Sequence, residues 1–472
     1  MRWFYGAGLG FIALTVLGLL AGFPLVYILP LALLLALLAI VSSDKLLYLT
    51  AFLVPLSVTV HDLGMGAGMN LPTEPLVIGL MLIAIFKFAL EGFKDQAFLK
   101  HPLTLLILFN TAWILLTTFT STMPLVSLKF FIARTWYIIV FYFFASRLFQ
   151  SLDNIKRFWS ILLYSAAAVV LFVVARHSTF GFTRDSVTTV IQPFFWIHGV
   201  YAAMVAYFMP IMLVFFIEGK ALSFSPLRRS FFLFFSALFA FAVVYSYTRA
   251  AWLSILAAMA ALVVILIRVK PVWIYSVSIV AVLGLSYYQG DILMKLSRNK
   301  TGSNSKNMEK HLQSATNIKN DPSNLERLNR WSCAYRMYQD KPILGFGPGT
   351  YMFQYAPYQL SYQKTVISTN FGTLGHAHSE FLGPLAEGGF IGMLSWLLIF
   401  IYACIRALWL SYYAKSREVR AIAMALLLGF LTYFVHGFLN SYFDYDKIAV
   451  PFWATLSILV VLDTKEKREL QQ

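Results

Sequence analysis

The chain has 472 residues, 59% of them hydrophobic and only 12% charged, against about 25% charged in a soluble domain, which excludes a soluble enzyme. The net charge of +16 comes from basic residues that sit mainly between apolar stretches, where they fix topology and can hold anions, so nucleic acid is not an expected partner. The two cysteines, Cys333 and Cys404, fall in a hydrophilic segment and an apolar stretch respectively; this argues against a disulfide and leaves no cysteine spacing suited to a metal.

Met1–Leu20 has a basic start and an apolar run like a signal peptide, but a second apolar run follows Pro24 with no small-residue cleavage pattern, and the pair reads as a retained membrane hairpin. A bilayer crossing needs about 20 mostly apolar residues. Candidate spans lie at 4–21, 24–41, 46–60, 76–90, 103–119, 130–147, 158–175, 196–216, 230–247, 251–268, 272–288, 385–404, 421–439 and 448–463. The expected fold class is an all-α polytopic membrane protein of about 12–14 transmembrane helices, with one large periplasmic loop containing short helices. N-terminal transmembrane helices occupy 1–288, the loop 289–384, and C-terminal transmembrane helices with a cytoplasmic tail 385–472.

Lysine and arginine alternate between connections. Lys87, Lys94 and Lys100, then Arg147, Lys156 and Arg157, then Lys220, Arg228 and Arg229, then Arg268 and Lys270, then Arg406, Lys415, Arg417 and Arg420 all fall on one side, whereas His61–Pro75 and Asn440–Asp446 have almost none. The bias predicts a multi-pass membrane protein with both termini cytoplasmic and the loop outside.

Within that loop, Arg298–Asn320 is polar, and Ser323-Asn324-Leu325-Glu326 has the pattern of a capping box that starts a helix. Leu328, Trp331, Tyr335 and Tyr338 form one stripe flanked by Arg327 and Arg330, and Pro342 ends the helix. The stripe suits a helix lying along the outer membrane surface with its aromatics turned down. Gly345-Phe346-Gly347-Pro348-Gly349-Thr350 lacks the strand, the helix and the Lys-Ser/Thr ending of a phosphate loop and reads as a turn.

Charges at the edges of spans are costly and so mark function. On the outer side these are Arg134, Arg184, Arg249 and Arg327, with His376 and His378 in the loop; outer acids near them are few (Asp185, Glu326, Glu380). Each arginine alone could snorkel to headgroups. Together they suit a polyanion, and planar guanidinium forks suit phosphate; at a lipid boundary that points to a diphosphate with a lipid tail. His376-Ala377-His378 has no third ligand with metal spacing, and a neutral histidine there is a candidate general base. Asn110, His198 and His436 read as hydrogen-bonders between helices, and Asp444 and Asp446 have no assigned role.

These pieces resemble the O-antigen ligase/polymerase superfamily of bacterial polysaccharide assembly. Ser246-Tyr247-Thr248-Arg249-Ala250-Ala251 is similar to its Ser/Thr-Arg-Gly/Ala helix start, Arg327 with Trp331 to its Arg-x-x-x-Trp element, Pro342–Tyr351 to its Pro-Leu-x-Gly-x-Gly-Pro-Gly-Thr-Phe, and His378–Leu382 with Glu387–Gly392 to its His-Asn-x-x-Leu and Glu-x-Gly-x-x-Gly. Ser379 departs from the usual asparagine. The resemblance implies a metal-independent inverting glycosyltransferase with no cofactor. Its donor would be an undecaprenyl-diphosphate-linked glycan, and lipid A-core or another glycan its acceptor. It also implies His378 and Arg249 as catalytic groups and Arg134, Arg184, Arg249 and Arg327 as diphosphate ligands. A ligase, a polymerase and a protein O-oligosaccharyltransferase all fit, and a lipid-linked glycan transporter is the non-enzyme alternative. The midplane charges and repeats of a transporter are not visible in the sequence.

Overall fold

The computed structural model describes residues 42–60, 68–288, 322–365, 368 and 375–471. The first two candidate spans and the polar stretch 298–320 lie outside the described residues. Ten of the described helices are long and apolar enough to cross a membrane, and the all-α polytopic reading holds. They are α2 Thr73–Glu91, α3 Pro102–Phe119, α4 Pro124–Gln150, α5 Leu152–Ser178, α6 His198–Ile217, α7 Pro226–Val244, α8 Arg249–Leu266, α11 Leu382–Tyr413, α12 Arg417–Gly437 and α13 Asp446–Gln471. Between α8 and α11 come α9, Pro271–Tyr287, a shorter apolar helix of 17 residues, and α10, Pro322–Asp340, in the hydrophilic segment.

The span expected at 46–60 is corrected. Helix α1 covers only Ser43–Leu53, 11 residues, about 16 Å at 1.5 Å per residue and too short to cross. Pro55 has no N–H to continue the helical ladder, and beyond it Val58–Val60 (β1) pairs antiparallel with Met69–Leu71 (β2). The last helix holds this hairpin. Asp446 Oδ2 accepts from Ser57 Oγ at 2.6 Å and Thr73 Oγ1 at 2.5 Å, and Lys447 Nζ donates to the Ser57 carbonyl at 3.0 Å.

Helix α13 is central, with its whole apolar window buried, whereas only 28% of the window of α7 is buried. Outward side chains such as Phe86, Phe119 and Leu227 are exposed apolar surface, as lipid-facing positions require. Polar contacts gather at two opposite ends. Far from the hydrophilic segment, His101 Nε2 donates to Asp463 Oδ2 at 2.8 Å, Arg406 and Lys467 pair with the same carboxylate, Arg468 meets Asp95, and Arg417 meets Glu218. At the other end, called the loop end, sit the hairpin, α10 and the starts of α4, α6, α8, α11 and α13. The basic connections singled out by the sequence share the far end.

Candidate active site

The site is built around α10 and the two segments that follow it. Glycines let the backbone of 342–350 lie directly on the first turns of α11: Phe346 N–H donates to the Ala386 carbonyl at 3.1 Å, Gly347 N–H to that of Glu387 at 2.9 Å, and Phe390 N–H to that of Pro342 at 2.9 Å. On its other side the segment is held by the α3–α4 turn, where Thr122 N–H donates to the Phe346 carbonyl at 2.9 Å and Ser127 Oγ to that of Pro348 at 2.8 Å. The glycine-rich stretch is therefore a strap joining three elements, in keeping with its reading as a turn.

Helix α10 docks through a face other than its aromatic stripe. Cys333, Ala334 and Met337 are fully buried against Phe346, Tyr351, Tyr355 and Ala386, while Tyr335 stays 53% exposed. One turn towards the N-terminus, Arg330 is buried with Glu326; the pair closes at 2.7 Å, with side chains only 6% and 4% exposed. The other Glu326 oxygen accepts from Thr365 Oγ1 at 3.0 Å and from Ser368, so the carboxylate buttresses the loop rather than turning back as a capping box would. Arg330 also donates to the His376 carbonyl at 3.2 Å and lies over the Tyr355 ring.

That scaffold fixes His378. Its φ is +50°, a left-handed backbone that histidine adopts more readily than most residues. Trp331 Nε1–H donates to its carbonyl at 3.2 Å, and Ser379 Oγ accepts from Phe381 N–H at 3.3 Å and Leu382 N–H at 3.4 Å. Ser379 thus bonds the backbone that leads into α11, whose N-cap is Phe381. Desolvation, then the charges of Arg327 and Arg330, push the His378 pKa down to about 3, so the imidazole is neutral at physiological pH. His376 is also held below its ordinary value, chiefly by desolvation.

Two of the sequence-selected arginines, Arg249 and Arg327, meet at the start of α10. Arg249 opens α8, and its guanidinium donates to Asn324 Oδ1 at 3.1 Å. Arg327 lies three residues on, on the same face of α10, and donates through Nε to the Leu439 carbonyl at 3.2 Å. The turn before Arg249 is fastened by Tyr247, whose hydroxyl donates to the Phe182 carbonyl at 2.8 Å; that loop continues into Arg184. A cavity of about 400 Å³ lies between Arg184, His198, Ser246 and Tyr247. His198, at the start of α6, is among the residues lining this cavity.

Arg134 is set apart. Helix α4 starts at Pro124, earlier than the expected span, so Arg134 stands in its third turn. Its side chain is 8% exposed, pairs with Asp444 at 3.3 Å and is enclosed by the rings of Phe130, Trp396 and Phe443. Its Nε has no hydrogen-bond partner among the described residues. It lines a second cavity, of about 360 Å³, together with Lys129, His376, Glu380 and Trp113, a volume in the range of small-ligand sites. The second cavity also borders the turn between α12 and α13 through Ser441 and Asp444. Glu380 holds that turn, accepting from Tyr433 Oη at 2.5 Å and from the N–H groups of Tyr442 and Phe443 at 2.8 and 2.9 Å. Desolvation raises the Glu380 pKa to about 7.

Residues 232–397 match the family model for O-antigen ligase. The chain carries a domain of the O-antigen ligase/polymerase superfamily. No curated protein matches the chain. The O-antigen ligase match takes in Arg249, the glycine strap, α10, His378 and the first turns of α11, while Arg134 and Arg184 lie before it. The match supports a glycosyltransferase-type domain, and the ten spanning helices among the described residues make the chain a multi-pass membrane protein. Sequence reasoning passed over Arg330, Glu380 and Asn324 as parts of this site. Arg330 was legible from Glu326 four residues earlier, the spacing of a helical ion pair. Glu380 and Asn324 act through segments distant in the chain and left no local signal.

Proposed function

We propose that this chain transfers a glycan from an undecaprenyl-diphosphate carrier to an acceptor hydroxyl at the periplasmic face of the inner membrane, with lipid A-core as the acceptor. The observation that carries the reading is a chain of neighbours at the loop end of the bundle: Arg249 bonds Asn324 on α10, Arg327 lies three residues further along that helix, and its charge acts on the neutral imidazole of His378. Arg184 stands next to the turn that presents Arg249. These guanidiniums would grip the diphosphate, whereas Arg134, paired with Asp444 in the other cavity, stands apart from that grip.

In the reaction, the imidazole of His378 takes the proton of the acceptor hydroxyl. The freed oxygen attacks the anomeric carbon from the face opposite the diphosphate, and the carbon–oxygen bond to the diphosphate breaks with its electron pair on the leaving oxygen. The sugar inverts, and the arginines take up the charge that develops on the diphosphate. Before the donor arrives, desolvation first and then the field of Arg327 and Arg330 keep the imidazole a weak base. The bound diphosphate offsets that field and raises its basicity when it is needed.

The test is transfer by the purified protein from a lipid-diphosphate glycan. His378→Ala should cost about 10²–10⁴-fold, the range for general base catalysis, and Arg249→Ala should weaken transfer strongly. In the free enzyme the imidazole stays neutral through pH 5–8, so kcat/KM should show no acid limb from His378 in that window. Folded variants that both keep full activity would overturn the mechanism. Lipopolysaccharide ladders from cells with and without the gene separate the ligase reading from a polymerase.

A further inference from the structure

At the far end of the bundle, remote from His378, the last turns of α6, α8 and α11 meet the first turns of α12. Between them lies a cavity of about 380 Å³ lined by Arg268, Arg417 and Arg420, with Glu218, Ser411 and Tyr412 completing the wall. Arg417 pairs with Glu218 at 3.2 Å yet stays 71% exposed. Arg420 donates to the carbonyls of Ala414 at 2.6 Å and Lys415 at 3.2 Å, closing the end of α11, and still lines the cavity. Arg268 follows the end of α8 with φ at +59° and is exposed. Three guanidiniums therefore face one carboxylate.

The rim has the opposite character. Leu266 and Ile267, next to Arg268, are 49% and 67% exposed, on a helix whose apolar window is mostly unburied. A cationic hollow with an apolar lip, at the level where a spanning helix ends, matches an amphiphile whose head is anionic. We propose that this cavity binds the headgroup of an anionic phospholipid, with its phosphate among the guanidiniums and its acyl chains along the outer face of α8. The site would bear on the loop end through its helices. Helix α8 begins at Arg249, and α12 ends at Gly437, whose carbonyl accepts the Glu380 N–H at 2.7 Å. A lipid wedged between their far ends would brace both.

The full chain, purified in a neutral detergent, is titrated separately with phosphatidylglycerol, phosphatidylcholine and inorganic phosphate, with native mass spectrometry counting bound lipid and thermal unfolding reporting stability. Phosphatidylglycerol should bind and raise the unfolding temperature, while phosphatidylcholine and phosphate should not. Arg268→Gln should lower the bound phosphatidylglycerol about fivefold, the effect of one basic residue at an anionic surface, and Arg268→Lys should largely restore it. Lys94→Gln, a change at an exposed lysine of the same end, should leave binding unchanged. Equal binding of phosphatidylcholine, wild-type binding by Arg268→Gln, or equal stabilisation by inorganic phosphate alone would each overturn the proposal. Should Arg268→Gln fail to fold, the three ligands compared on the wild-type chain decide it.

Discussion

Replacing Gly389 with alanine strikes the joint on which the candidate site is mounted. Gly389 interrupts α11 with φ +67° and ψ −169°, a region essentially reserved for glycine, where another residue costs about 1–3 kcal/mol. A Cβ there would stand 2.1 Å from the Ile343 carbonyl oxygen and 2.6 Å from that of Pro342, both backbone atoms of the strap. The strap must then retreat, and the 2.9 Å bond from Phe390 N–H to Pro342 is lost, for about 0.5–1.5 kcal/mol more. The sum, about 1.5–4.5 kcal/mol, shifts the docking equilibrium between about tenfold and two-thousandfold. Cys333 reports on it. Its side chain is buried against the strap and α11, and desolvation holds its pKa above the ordinary thiol value. Maleimide labelling of Cys333 in a Cys404→Ser background should therefore be slow in the parent and faster by that factor in Gly389→Ala, since labelling tracks the population of the open form. Glycan transfer should fall in parallel. Unchanged labelling with undiminished transfer would refute the reasoning.

Removing Arg330 leaves Glu326 buried without its ion-pair partner, a loss of about 3–5 kcal/mol for such pairs. Arg330→Ala should lower the unfolding temperature in detergent, and Glu326→Gln added to it should recover part of the loss. Glu380 supplies a pH signature. Desolvation raises its carboxyl from an ordinary 4.5 to about 7 in the fold, so its contribution to stability is complete below about 4.5 and is lost as pH rises through about 7. The wild-type chain should unfold at a lower temperature at pH 8 than at pH 5, and Glu380→Gln should flatten that difference.

Much was legible in the order of residues alone. Long apolar runs must become helices in a bilayer because the backbone has no other means of satisfying its polar groups, and the alternation of basic and bare connections sorted those helices into two ends. The motif pieces around Arg249, the glycine strap, Arg327 and His378 were visible because each is a local pattern. Their convergence was not. Only the tertiary structure brought the turn carrying Arg249 onto Asn324, set Arg184 beside that turn, and enclosed Arg134 in a separate cavity with Asp444, from 310 residues away. The same holds for the 46–60 segment, whose hydropathy suits a span but whose proline and hairpin partner end the helix early. Hydropathy and spacing act along the chain and can be read there. Charge compensation, the neutrality of His378 and the cradle around Glu380 arise from burial beside distant segments, which only the folded bundle brings together.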